Sequence, residues 1–229
     1  QLTFTDSNWD TAQTVTITGI PDSVDDGDQV VTVTLAVNDA ASDDDFDSLA
    51  DQTVAVTVTD VDTAALTLSL ADVLVTEAGA DATFTAVLGA KPTASVVIDV
   101  TGSDTGEATV SPAQLTFTDS NWDSAQTVTV TGVDDTAVDG NQTSTVTLAI
   151  VDGSSAAEYA SVASGSVAVI TTDNDSAGMG VVPLASSTAE GGTTTVTVVL
   201  NTQPTSDVVV SATSSDTGEA TVNPETLTF

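Results

Sequence analysis

The decapeptide QLTFTDSNWD occupies residues 1–10 and recurs, letter for letter, at 114–123. A heptapeptide, DTGEATV, stands at 104–110 and again at 216–222. Laid over 114–175, residues 1–62 match at 36 of 62 positions, and 63–117 lies over 176–229 with a one-residue gap between Glu77/Glu190 and Leu88/Leu200. A shared period of 112–113 residues means tandem homologous units of immunoglobulin-domain size. The phase predicts three parts: the C-terminal part of one repeat at 1–62, a complete repeat at 63–175, and the N-terminal part of a further repeat at 176–229. A window that opens and closes in mid-strand suggests a stretch of a longer repetitive protein, or half domains completed by neighbouring chains.

Within 63–175 apolar residues alternate with Thr and Ser: Leu66, Leu68 and Leu70; Phe84, Ala86 and Leu88; Val96, Ile98 and Val100; Leu115 and Phe117; Val128 and Val130; Val146, Leu148 and Ile150; Val167 and Val169. Period two with polar residues between is the pattern of half-buried antiparallel strands. About seven strands with turn residues between them predict an all-β protein, built as tandem Ig-like antiparallel β-sandwich repeats.

Charge narrows the function. Thirty-four acidic residues face a single basic one, Lys91, with no histidine and no cysteine, for a formal charge of −33. Nucleic acid and anionic lipid both need a basic footprint, so neither is a partner. No apolar run is long enough to span a membrane. The usual general base, thiolate nucleophile and transition-metal ligands are missing. A glycosidase would need a carboxylate pair in a cleft with aromatic subsites, and carboxylate motifs copied from repeat to repeat do not look catalytic. The expectation is no enzyme.

The acids of the complete repeat fall between strands: Glu77 in VTEAG, Asp104 in GSDTGEATV, Asp134, Asp135 and Asp139 in GVDDTAVDGN, and Asp173 and Asp175 in TDND. Sandwich loops cluster at two ends, so several of these can converge at one pole. Converging carboxylates repel unless a positive charge sits among them, and the chain has no side chain to supply it. A hard cation with six to eight oxygen ligands in flexible geometry fits best, which makes Ca2+ the expected cofactor. Isolated acids such as Asp72 and Asp81 read as turn or solubility residues, and the run Asp43, Asp44, Asp45 and Asp47 as a solvated loop.

TEAG (76–79), SDTGEATV (103–110), LTFTDSNWDSAQTVTVTG (115–132), VDDTAVDG (133–140) and TDND (172–175) together resemble the Calx-beta repeats of large bacterial surface proteins. That resemblance implies an Ig-like sandwich binding calcium near the next domain. It makes Glu77, Asp104, Asp134, Asp135, Asp139, Asp173 and Asp175 ligands of the central repeat. It extends the set to Asp22, Asp26, Asp60 and Asp62 in the first part and to Glu190 and Asp216 in the third. Pro21 stands where the second repeat has Asp134, and Val61 where it has Asn174, so a weaker first site is expected.

Trp9 and Trp122 sit in NWD turns, where an indole can plug the end of a sandwich or stack on a sugar. Phe46 and Tyr159 align and are expected to anchor one loop. The expected role is structural: an extender of an extracellular or cell-surface adhesin, or the building block of an extracellular filament, stiffened at its joints by calcium. Its partners would be neighbouring repeats and other copies of itself in a fibre. The alternative is a β-sandwich module that binds glycan or a protein partner.

Overall fold

The same octapeptide pattern forms a strand in one part of the chain and none in another. In the computed structural model, which describes residues 1–79, 81–184 and 186–229, AQTVTVTG at 125–132 contributes a seven-residue strand, whereas AQTVTITG at 12–19 is not strand at all. The difference is partners. The 126–132 strand is flanked on both sides by antiparallel neighbours, and the 12–19 segment has neither. A strand leaves its N–H and C=O groups for others to satisfy, so propensity without pairing does not make a sheet.

Residues 1–62 contain one hairpin, β1 (Gln29–Leu35) with β2 (Gln52–Val58). Nine strands follow: β3 (Leu66–Leu68), β4 (Asp72–Thr76), β5 (Asp81–Leu88), β6 (Val96–Gly102), β7 (Ala108–Ser111), β8 (Gln114–Phe117), β9 (Gln126–Gly132), β10 (Gln142–Ile150) and β11 (Gly165–Thr172). They form a five-stranded sheet, β4-β11-β10-β6-β8, and a four-stranded sheet, β3-β5-β9-β7. The remainder holds the short pairs β12 (Met179–Val182) with β13 (Thr197–Leu200), and β14 (Val209–Ser211) with β15 (Thr226–Thr228). Among the described residues there is no α-helix, and no helix is long and apolar enough to cross a membrane. The chain is all-β, and its complete unit is an Ig-like sandwich.

Nine strands rather than seven arise because Asp72–Thr76 and Ala108–Ser111, absent from the predicted set, form strands of their own, each across a break from a predicted neighbour and in the opposite sheet. Leu66–Leu68 pairs with β5 in one sheet and Asp72–Thr76 with β11 in the other, the one parallel strand pair among the described residues of the sandwich. Likewise Ala108–Ser111 pairs with β9, and Gln114–Phe117, past Pro112, pairs with β6. Proline has no N–H for the ladder, so the strand is interrupted there. Leu70, expected to continue the inward face of Leu66 and Leu68, falls in the first break and is exposed.

The inward residues of both sheets meet in one core. Phe84, Val128, Val130, Phe117, Ile98, Leu148 and Val167 are each at most 1% exposed. Burial of such a side chain contributes roughly 1.5–3 kcal/mol, so the strands are held mainly by this contact between sheets. Tyr159 is also fully buried; its hydroxyl donates to the Ala90 carbonyl oxygen and accepts the Ala90 N–H, which anchors its loop as the sequence predicted. Trp122 packs half-buried against the core, in the manner of a plug, whereas Trp9 and Phe46 are exposed.

Strand register defines two poles. In the β5–β9 pair Asp81 lies opposite Thr131 and Ala86 opposite Gln126, so the segments after Leu88 and after Gly132 leave from opposite ends. The first end meets residues 1–62: the Lys91 N–H donates to the Ser23 carbonyl at 2.7 Å, and the Ala64 N–H to Asp25 Oδ2 at 2.7 Å. The second meets 176–229, where the Gln203 N–H donates to the Thr136 carbonyl at 2.8 Å.

Candidate metal centre

The second pole gathers the acids. Glu77 follows β4, Glu107 precedes β7, the 133–141 loop joins β9 to β10, and Asp173–Asn174–Asp175 follows β11 on the way to the next part of the chain. Glycine brings two of these elements together. A Cβ on Gly132 would lie 2.1 Å from the Thr76 carbonyl oxygen, so only glycine lets the end of β9 pass the turn that carries Glu77. Gly140 has φ +75°, a left-handed conformation, and its N–H points to Asp173.

Asp173 is the hinge pin of the pole. Its Oδ1 accepts the Asp175 N–H at 2.6 Å and its Oδ2 accepts the Gly140 N–H at 2.8 Å. The Asp175 and Gly140 amides hold its carboxyl below the ordinary aspartate range. Next to it, the Asn174 N–H donates to Glu77 Oε2 at 3.3 Å and its side-chain amide to Asp134 Oδ1 at 3.1 Å. Asp135 Oδ1 accepts the Ala137 N–H at 2.7 Å, and Asp104 Oδ1 the Gly106 N–H at 3.0 Å, each shaping its own turn.

Two carboxylate triads result. Glu77, Asp173 and Asp175 offer oxygens within 4.8 Å of one another, and so do Glu107, Asp135 and Asp139. Glu77 is 1% exposed; Glu107 and Asp175 are half-buried, and Glu107 Oε2 and Asp175 Oδ2 are buried atoms without a hydrogen-bond donor. Burial, then the neighbouring aspartates, pushes the carboxyls of Glu77, Glu107 and Asp175 up. Such an arrangement is unfavourable for bare carboxylates, and the one cationic side chain, Lys91, belongs to the other pole. All donors are hard oxygens, so the residues fit Ca2+.

Of the sequence-predicted residues, Glu77, Asp135, Asp139, Asp173 and Asp175 come together in the triads. Asp134 stands beside them through Asn174, while Asp104 is exposed and caps its turn. Glu107 belongs to the second triad and is absent from the predicted set. It lies within SDTGEATV and returns as Glu219, which was the available signal.

The first part repeats the loop pair. Asp60 Oδ2 accepts the Asp26 and Gly27 amides at 2.9 and 2.7 Å, its Oδ1 accepts the Asp62 N–H at 2.8 Å, and Asp22 Oδ1 accepts the Val24 N–H at 2.8 Å. Amides of Asp62 and Gly27 hold the Asp60 carboxyl low. This repeats the Asp173 scaffold of the second pole. Glu190 and Asp216, in the third part, are exposed and join neither triad.

The fold and this pole define a class, the antiparallel β-sandwich with an acidic loop cluster at one end. No family model matches the chain, and no curated protein does. Solved structures are weakly similar. The apo-form Calx CBD1 domain gives a TM-score of 0.39 at 12% identity, covering 50% of this chain and 100% of that one. Domains 4 and 5 of the S-layer protein SbsC give 0.32 at 23%, covering 53% and 59%; SSP-19, an MSP-domain protein of Caenorhabditis elegans, gives 0.33 at 16%, covering 47% and 97%.

Proposed function

We propose that the chain is a calcium-binding segment of tandem Calx-beta-like β-sandwich repeats in a secreted or cell-surface protein, where it acts as a rigid extender of an adhesin or as the unit of an extracellular filament. The observation that carries this reading is the position of Asp173 and Asp175. They lie on the segment that leads out of the 63–175 sandwich, yet share a triad with Glu77 of its body. An ion held by Glu77, Asp173 and Asp175 fixes the direction in which the chain leaves, and one held by Glu107, Asp135 and Asp139 fixes the loop that touches Gln203. Bound calcium supplies only the positive charge; it drives no reaction.

Without the ion, carboxylate repulsion loosens the pole and the joint bends. With it, neighbouring sandwiches form a rod whose stiffness resides in the joints. Small-angle X-ray scattering of the chain tests this. Calcium narrows the distance distribution to that of one extended shape, and EDTA broadens it. Superimposable curves in calcium and EDTA contradict the stiffening role.

A further inference from the structure

The chain enters and leaves the 63–175 sandwich at opposite poles. Leu66, at the start of β3, lies opposite Leu88 at the first pole, and Asp173–Asn174–Asp175 follow β11 at the second. The break at Ser69–Ala71 carries the chain from the sheet of β3 into that of β11. There β4 and β11 both run towards the second pole, in parallel register from Asp72 opposite Ala168 to Thr76 opposite Thr172. Main-chain bonds continue at both ends of this ladder. The Ala168 N–H donates to the Ala71 carbonyl at 2.9 Å, and the Glu77 N–H to the Thr172 carbonyl at 3.2 Å.

Tension along the chain draws β4 towards the first pole and β11 towards the second. The two strands then part only by sliding past each other along their own length. In that direction every bond of the ladder is loaded at once, because the bonds of a parallel pair are evenly spaced along it. A hairpin pulled open from one end loses its bonds one pair at a time. We propose that the 63–175 sandwich is a load-bearing unit and that the parallel β4–β11 pair is its force clamp. The inference rests on the extender reading for the source of the tension; the resistance follows from strand geometry alone.

β3 meets the load first but is built to yield. It has three paired residues against five in β4. Its Leu66 and Leu68 are half-buried, whereas Val73 and Val75 of β4 are 6% and 1% exposed. Sliding β4 therefore drags two core side chains towards water as well as breaking the ladder. The far end of β4 is tied again: the Asn174 N–H, beyond β11, donates to Glu77 Oε2 at 3.3 Å. An ion shared by Glu77, Asp173 and Asp175 spans the same gap, so calcium adds to the clamp on the line of force.

Single-molecule force spectroscopy of the 229-residue chain tests the clamp. The sequence has no cysteine, so paired cysteine substitutions set the direction of pull. Handles at Thr63→Cys and Ser176→Cys shear β4 against β11. Handles at Thr143→Cys and Ser176→Cys lie at one pole and open β10 from β11, starting where Gln142 faces Thr171. All three side chains are exposed, so the same fold is pulled in both directions. In EDTA the shearing pair is expected to rupture the sandwich at roughly twice the force of the opening pair or more, because the whole ladder shares the load. That rupture releases ~370–410 Å of chain, less the folded pole-to-pole distance. Val75→Ala lowers the shear force, and Leu68→Ala leaves it unchanged.

Equal forces in the two directions overturn the proposal. So does a shear force that falls with Leu68→Ala and not with Val75→Ala, which would place the resistance in β3. Calcium is expected to raise the shear force further. A direction dependence that persists while calcium changes nothing supports the clamp and counts against the ion site alone, which keeps the two readings separate.

Discussion

Gln203 donates its main-chain N–H to the carbonyl oxygen of Thr136 at 2.8 Å, and the homologous pair at the other end of the sandwich, Lys91 and Ser23, makes the same bond at 2.7 Å. The side chains differ between the two joints but the contact is kept, because it runs through the backbone. The joint is thus a built feature of the repeat. The acceptor at the second joint lies in the 133–141 loop, which also supplies Asp135 and Asp139 to the second triad.

That link gives a hydrogen-exchange prediction. The amides of Lys91 and Gln203 exchange more slowly than the exposed amides of the 43–47 loop. On adding EDTA the Gln203 amide accelerates, while amides at the centre of β9 and β10 do not. Unchanged protection at Gln203 would separate the joint from the ion site.

Neutralising Glu77 has opposite effects in the two ionic states. Its carboxyl is buried and raised by desolvation, with Asp173, Asp135 and Asp139 adding repulsion. In EDTA, Glu77→Gln relieves that burden and raises the unfolding midpoint by about 2–4 °C for each kcal/mol recovered. In calcium the same substitution removes a ligand and lowers the midpoint. A variant that is destabilised in both conditions would make Glu77 a structural residue with no share in ion binding.

The same groups set the pH dependence. Carboxyls raised in the folded state, Glu77, Glu107 and Asp175, give stability that is fully present below their unfolded values and lost as pH rises through their folded ones. The calcium-free chain therefore gains stability as pH is lowered from neutrality towards the ordinary carboxylate range. Asp173, held low by the Asp175 and Gly140 amides, acts oppositely; its contribution is lost as pH falls through its lowered folded value. In calcium, protons compete with the ion for the raised carboxyls, so lowering the pH from 7 reduces stability. Thermal melts across that range with and without EDTA should slope in opposite directions.

Gly132→Ala tests how the pole is assembled. Its Cβ would collide with the main chain of Thr76, which cannot rotate away. The expected cost is ~1–3 kcal/mol, as for overpacking in a tight interior, together with weaker calcium binding through displacement of Glu77. Gly153, where a Cβ meets nothing within 4 Å, is the control, and its alanine variant should unfold within about 0.5 kcal/mol of the parent.

Inward positions such as Phe84, Ile98 and Val128 could be read from alternation alone, because period two and burial on one face are the same fact. The sheet changes at Ser69–Ala71 and near Pro112 could not, since alternation does not say which partner a strand takes. Local turns are equally legible. Asn8 Oδ1 accepts the Thr5 N–H at 2.5 Å and Asn121 Oδ1 the Thr118 N–H at 2.6 Å, so TDSNWD folds alike in both copies. The strands beside it differ, because pairing is not local. Glu107 escaped notice for a related reason: it directly precedes β7 and looks like one more outward residue until the fold sets it beside Asp135 and Asp139.

Thermal unfolding of the chain in calcium against EDTA, with a magnesium control, tests the central claim most directly. With dissociation constants of 10⁻⁴–10⁻³ M, typical of extracellular modules, ~1–5 mM calcium stabilises by ~0.4–2.3 kcal/mol per bound ion, a midpoint rise of ~1–9 °C. The account predicts that rise for calcium, a smaller one for magnesium, and its loss in Asp173→Asn and Glu107→Gln. Equal midpoints in calcium and EDTA would contradict it and leave the triads as acidic surface without a ligand.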